Sequence, residues 1–252
     1  MKTDEELWSE FLSFIPQAPS AGSPLELFVG FEEHLLATGS EPEVAAADRR
    51  RVLGLTNQRR DWIGPMFDRI YTSDTPDFRQ TPNRLLTEVV TDVRPGTALD
   101  IAMGQGRNAV FLATLGWEVT GIDVSPQGIA VAEEQASRVG VTIVAIEVGI
   151  EDFDLGRASW DLIVMTYALV PVVEREFAHQ IIESLNANGL LVVESFGSDR
   201  RGRTGRPVDI DPDKLREAYE ELEIIRFDDV DDIPEWTDRS TRVVRMVARK
   251  PG

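Results

Sequence analysis

The sequence predicts an α/β fold: a doubly wound, mostly parallel seven-stranded sheet with an antiparallel C-terminal strand, preceded by a helical N-terminal extension. Three observations predict it. From residue 97 onward, short runs rich in Val, Ile and Leu alternate with helical stretches, the pattern of buried parallel strands joined by crossovers. No strand candidate occurs before residue 89. The last two strand candidates follow one another with no helix between them, as in a terminal hairpin.

In chain order, Leu7, Trp8, Phe11, Leu12 and Ile15 mark one apolar face of a helix that Pro16 ends. A loop rich in Pro, Ser, Gly and Ala, Gln17 to Pro24, follows. Leu25–Ala37 carries Leu27, Phe28, Phe31, Leu35 and Leu36 as a second amphipathic helix, and Glu43–Leu55 is a third with Arg49, Arg50 and Arg51 on its polar side. Residues 1–60 thus form the extension, suited to a lid, substrate recognition or dimerisation, and residues 61–252 form the main domain. The candidate strands are Thr97–Ala102, Glu118–Ile122, Thr142–Val148, Asp161–Thr166, Leu190–Ser195, Glu223–Asp229 and Arg242–Arg249. Helices are expected at Asn108–Leu115, Pro126–Val139, Val172–Asn186 and Pro212–Glu221, the third stopped by Asn188-Gly189.

Composition narrows the function. There is no cysteine, which removes disulfides, thiolate zinc sites and a cysteine nucleophile together, and two histidines, His34 and His179, leave no histidine-rich metal site. No stretch reaches the roughly 18–20 apolar residues of a membrane span, and the acidic start Met1-Lys2-Thr3-Asp4-Glu5-Glu6 lacks a signal core, so a cytoplasmic location is expected. A formal charge of -18 repels phosphate backbones and argues against a nucleic-acid substrate. The oligomeric state is not encoded in any pattern found.

The informative segment is Thr97 to Asp123. A strand runs into Met103-Gly104-Gln105-Gly106 and a helix begins near Arg107. Glycine lets the backbone turn sharply and approach a ligand, and the helix start aims unpaired N–H groups at it. A second strand ends at Asp123, placing a carboxylate with two acceptor oxygens at the crevice of an open sheet, where it suits a ribose diol. The spacing specifies a nucleoside cofactor without choosing one, because a dinucleotide fingerprint tolerates Ala109 at its third glycine position.

The run ALDIAMGQGRNAVFLATLGWEVTGIDVSPQGIAVAEEQA resembles the first two motifs of class I S-adenosylmethionine-dependent methyltransferases, nearest the tellurite-resistance and thiopurine-type bacterial group, where Gly-x-Gly-Arg-Asn recurs. The resemblance covers roughly Trp62 to the C-terminus and implies a Rossmann-like sheet with S-adenosyl-L-methionine as cofactor. It implies that Asp100, Ala102, Gly104 and Gly106 form the loop around the methionine part, that Asp123 binds the ribose, that Val124 flanks the adenine, and that Asn108 is a further cofactor contact. Two positions depart from the family: Ala102 stands where glycine is usual, and Gly149-Ile150-Glu151-Asp152 replaces an aspartate after the third strand. Ile150 would then supply backbone and apolar contact to the adenine and Glu151 or Asp152 the polar one, and Met165, at the end of the fourth strand, is a further expected cofactor contact. The segment Trp62 to Asn83 resembles the family's lid, in which a Trp/Tyr-bearing helix and a Pro-Asn turn fold over the cofactor; Tyr71, Phe78 and Arg79 are the candidate contacts, Arg79 either holding the methionine carboxylate through a bidentate pair or being a surface charge.

The methyl acceptor belongs at the ends of the fourth and fifth strands, where Tyr167, Glu194 and Phe196 stand. Methyl transfer from a sulfonium needs alignment and desolvation, and a base only if the acceptor must lose a proton. Tyr167 and Glu194 are the candidates for that base, each equally readable as packing or as a buried group satisfied by neighbours. Arg200, Arg201, Arg203 and Arg206 follow the fifth strand as either a solvated loop or an anion-capturing one. A small-molecule acceptor is the expectation. A peptide substrate recognised by the N-terminal helices and a non-methylating binding protein are the alternatives, and the Thr166-Tyr167-Ala168-Leu169 run differs from the Asn/Asp-Pro-Pro-aromatic motif of nucleic-acid amino-methyltransferases.

Overall fold

A computed structural model of the chain describes residues 2–19, 24–56, 58–72, 80–198, 208–235 and 239–252. They fall into two compact units: Met1–Phe78 with Ser125–Gly128, and Arg79–Val124 with Ile129–Gly252.

The first unit is helical. Thr3 opens α1 (Asp4–Phe14) with a capping box: its hydroxyl accepts the Glu6 N–H at 3.2 Å, and the Glu6 carboxylate accepts the Thr3 N–H at 2.8 Å. Pro16 lies in a 3₁₀ turn (Ile15–Gln17) that ends this segment. Then come α2 (Pro24–Ala37), α3 (Pro42–Leu55) and α4 (Ile63–Tyr71). Aromatic rings form the unit's centre: Phe11 stacks on Phe28 at 5.4 Å and meets Phe31 edge-on at 5.2 Å, while Trp62 lies 5.8 Å from Phe28. Such pairs add about 0.5–1.5 kcal/mol each beyond area burial.

The second unit contains α5 (Arg84–Val90), β1 (Thr97–Ile101), α6 (Arg107–Thr114), β2 (Glu118–Asp123), α7 (Pro126–Val139) from Ile129 onward, β3 (Val144–Glu147), β4 (Trp160–Thr166), α8 (Arg175–Ser184), β5 (Leu185–Phe196), α9 (Pro212–Ala218), β6 (Glu223–Asp232) and β7 (Thr241–Arg249). The sheet has seven strands in the order β3-β2-β1-β4-β5-β7-β6. Its first five strands are parallel, and β7 runs antiparallel to both β5 and β6. Strand alternation divides the core. Leu99, Ile101, Ile163, Met165, Leu191 and Val193 face a cluster with α8 and α9, whereas Ala98, Leu162, Val164, Leu190 and Val192 face one with α5, α6 and α7.

Two local expectations change. The sequence pattern names no helix between Asn83 and Arg107, yet α5 forms there, its start capped by Asn83. Asn188-Gly189 does not stop a helix: α8 ends at Ser184 and β5 begins at once, because Leu185 pairs with Trp160. Asn188 takes φ +65°, donates its N–H to the Lys250 carbonyl at 3.0 Å, and receives the chain back through the Lys250 N–H to Gly189 carbonyl bond at 2.9 Å. The left-handed asparagine therefore makes an irregularity inside a strand, where pairing with the C-terminal residues outweighs the local helix-stop signal. None of the described helices is long and apolar enough to cross a membrane.

Candidate active site

The glycine turn follows β1. Ala102, Gly104 and Gly106 take φ +57°, +54° and +77°. At Gly106 a Cβ would stand 2.6 Å from the Ala132 Cβ and 3.2 Å from its Cα, so both backbone angle and packing require glycine. Ala102 carries its Cβ in the same left-handed region, at a cost of roughly 1–2 kcal/mol. The usual glycine of that position would remove this strain. Gly121 of β2 has a different reason for being small: the Met103 sulfur passes 2.0 Å from where a Cβ would be.

Two buried carboxylates flank the turn. Asp123, at the end of β2, accepts the Gly104 N–H at 2.8 Å. This contact joins the acid to the turn directly; the following helix is capped by Ser125, whose hydroxyl oxygen accepts the Gly128 N–H at 3.0 Å. Asp100, near the end of β1, accepts the Ala109 N–H in the first turn of α6, and its Oδ2 has no hydrogen-bond partner among the described residues. Burial pushes its pKa up to about 7, the charge of Arg107 opposing the rise and that of Asp123 adding to it.

The remaining expected contacts divide. Val124 is partly exposed just beyond Asp123, Ile150 is half-buried, and the Glu151 carboxylate lies against Gly149. Met165 is buried in the core cluster facing α8. Tyr71 belongs to the helical unit, where it stacks on Phe67 at 5.7 Å. Phe78, Arg79, Arg200, Arg201, Arg203 and Arg206 lie outside the described residues. His34 stacks among Phe14 and Phe31, and His179 is exposed one turn from Glu183.

At the ends of β4 and β5 the sheet face toward α5 and α6 changes character within one strand repeat. Val164, Val192 and Val247 are apolar, and two residues away toward the same end of the sheet stand Thr166, Glu194 and, on the antiparallel β7, Arg245, which oppose one another in register. All three are buried. Arg245 donates from Nε to Glu194 at 2.7 Å and from Nη2 to Asp232 at 2.8 Å. Burial works against the guanidinium charge, but these two carboxylates hold its pKa above the ordinary arginine value. Glu194 also accepts from the Tyr167 hydroxyl at 2.8 Å and from the Asn83 amide at 3.0 Å. Burial first, and the charge of Glu194 second, raise the Tyr167 pKa. Its ring meets Phe196 edge-on at 5.0 Å, and its backbone takes φ +55°.

The sequence reading missed Asn83, Arg245 and Glu235 as members of this site. Arg245 had a signal, a single cation inside the apolar run Val243 to Ala248. Asn83 stands in the Pro82-Asn83 turn that ends the lid-like segment, which marks the turn but not its partners, and Glu235 had no signal, because its partners lie far away in the chain. Glu235 accepts from Arg107 at 2.6 Å and from the Arg84 N–H at 2.7 Å.

Comparison with known proteins agrees with this geometry. Residues 98–189 match the family model described as "Methyltransferase domain". The chain is 27% identical over 184 residues to hemagglutinin 1 of Eikenella corrodens, covering 68% of this chain and 60% of that protein. It is 32% identical over 101 residues to a candidate methyltransferase of Geobacillus sp. (strain WCH70), covering 38% of this chain and 40% of the relative. The chain thus spans less than two thirds of the length of either relative. Among solved structures, the N-methyltransferase NodS from Bradyrhizobium japonicum WM9 shares the fold, with a TM-score of 0.54 at 20% identity over 67% of this chain and 93% of that one.

Proposed function

We propose that this chain is an S-adenosylmethionine-dependent methyltransferase that acts on a small-molecule acceptor. The observation that carries the reading is the pair of buried carboxylates on either side of a glycine turn, within a segment that matches a methyltransferase domain. The residues fit the cofactor. The partnerless Oδ2 of Asp100 suits the ammonium of the methionine part, and Asp123, fixed by the Gly104 N–H, suits the ribose diol. Gly106, in the left-handed region and packed on Ala132, opens α6, whose first N–H groups suit an anionic or polar part of the cofactor. Val124, Ile150 and Glu151 would then border the adenine. The Gly-Arg-Asn sequence after the turn supports the tellurite-resistance and thiopurine-type group within the family.

When bound, S-adenosylmethionine supplies a methyl group on a sulfonium, which leaves as a neutral thioether and needs no proton. The protein's part is to align the acceptor and exclude water. The apolar rings of Tyr167 and Phe196 suit both tasks at the ends of β4 and β5. The acidic surface, with a formal charge of -18, supports a small acceptor over a nucleic acid.

Calorimetry with S-adenosylmethionine and with NAD tests the proposal. Wild type should bind the sulfonium cofactor, and Asp123→Ala should weaken that binding by about tenfold or more, the loss of a charge-assisted contact. Binding of NAD in preference, or an Asp123→Ala protein that binds as wild type does, would overturn it.

A further inference from the structure

The buried polar groups at the two ends of the site close into a ring. The Asn83 N–H donates to Asn108 Oδ1 at 2.8 Å, and Asn108 Nδ2 donates to Thr166 Oγ1 at 3.0 Å. Thr166 precedes Tyr167, whose hydroxyl donates to Glu194 Oε1; the Asn83 amide donates to that same oxygen and completes the circuit. The ring passes through the starts of α5 and α6 and the ends of β4 and β5. Asn108 stands two residues beyond Gly106, so one side of the ring is the cofactor turn and the other is the acceptor end.

We propose that Asn83 is a positioning residue which, through this ring, fixes the glycine-turn helix against Tyr167 and Glu194, so that cofactor and acceptor ends are held as one assembly. The inference rests on the methyltransferase reading above. Every polar group of Asn83 is used: Oδ1 accepts the Leu86 N–H at 3.0 Å, and Nδ2 donates to Glu235 at 3.2 Å as well as to Glu194. Only an amide supplies both donor and acceptor there. An aspartate would lose both donated bonds and face two carboxylates with a third.

Tyr167 explains why the ring is polar. Its left-handed backbone is strained, and Glu194 holds it at both ends, through its carbonyl to the Tyr167 N–H at 2.7 Å and through its carboxylate to the hydroxyl. With donors from Arg245, Asn83 and Tyr167 all directed at it, the Glu194 carboxylate serves to hold Tyr167 in place rather than to take a proton from an acceptor. Hydrogen bonds specify direction where apolar packing specifies only proximity, which is what a fixed alignment needs.

The test compares full-length wild type, Tyr167→Phe, Asn83→Asp and the double variant Asn83→Asp/Glu194→Gln, which restores a bond of reversed polarity. Two readouts are taken well below the unfolding midpoint: the backbone amide resonances of Gly104 and Gly106 without ligand, and the S-adenosylmethionine Kd. Tyr167→Phe should displace both glycine resonances and weaken binding about three- to tenfold, the range of one lost hydrogen bond. Asn83→Asp should weaken it about tenfold or more, and the double variant should recover part of that loss. A Tyr167→Phe protein with a lower midpoint but unmoved glycine resonances and unchanged Kd would overturn the proposal, as would a double variant no better than Asn83→Asp. If wild type binds no S-adenosylmethionine, the functional reading fails, and the glycine resonances alone still decide the ring. If Asn83→Asp does not fold, Tyr167→Phe decides it.

Discussion

The glycine turn and the strand-end ring are both made of buried polar groups, but they are assembled over different distances along the chain. The turn's key contact, Gly104 to Asp123, spans 19 positions and one helical crossover. The ring's contacts span 25 positions between Asn83 and Asn108, 58 between Asn108 and Thr166, and 111 between Asn83 and Glu194. The first is a local device repeated wherever a strand, a turn and a helix meet. The second exists only after the whole sheet has formed. The difference teaches that the cofactor end is sensitive chiefly to backbone geometry, and the acceptor end to the completeness of a charge and hydrogen-bond network.

Arg245→Met is the sharpest way to break that contrast. It leaves the buried Glu194 without its guanidinium partner, and loss of one member of such a pair costs about 3–5 kcal/mol. Urea unfolding should show this loss, and Arg245→Met/Glu194→Met should regain much of it. A single variant as stable as wild type would show that the ring carries no energetic weight.

Gly106→Ala examines the other end. The new Cβ meets Ala132 and must also adopt φ +77°, so a loss of about 2–4 kcal/mol is expected together with weakened cofactor binding. If the change lowered stability by less than about 1 kcal/mol, the turn would be less constrained than its geometry implies.

The most gradual effect is pH dependence. Asp100 titrates near 7 when folded against an ordinary value of 3.8. Between those pH values the folded chain keeps a proton that the unfolded chain has released. Stability from this group is therefore greatest below about pH 4 and falls as pH rises to about 7, by at most about 1.4 kcal/mol per pH unit. Unfolding midpoints measured from about pH 4 to about pH 7, the window between the two pKa values, should decline more steeply in wild type than in Asp100→Asn. Equal slopes would show that Asp100 titrates normally.

Much of this molecule is legible in its residues. The periodicity of Val, Ile and Leu from residue 97 marks all seven strands, and Gly104, Gly106 and Asp123 mark the turn proposed to hold the nucleoside, because each signal is written in neighbours or across one crossover. Less legible was α5: seven residues carry too few turns to display a face, and its cap, Asn83, takes its other partners from distant strands. The Asn188-Gly189 pair misleads for a related reason, since a left-handed residue ends a helix or bends a strand according to what pairs with it.

By itself, then, the sequence determined the fold class, the helical character of the N-terminal region and the location of the glycine turn, all properties of local pattern and short-range spacing. Tertiary structure alone decided that Asp100 is left with a partnerless oxygen, that Thr166, Glu194 and Arg245 share one row, and that Asn83 closes their ring. Strand order and register set these relations, and they bring together side chains whose separation in sequence carries no trace of their proximity.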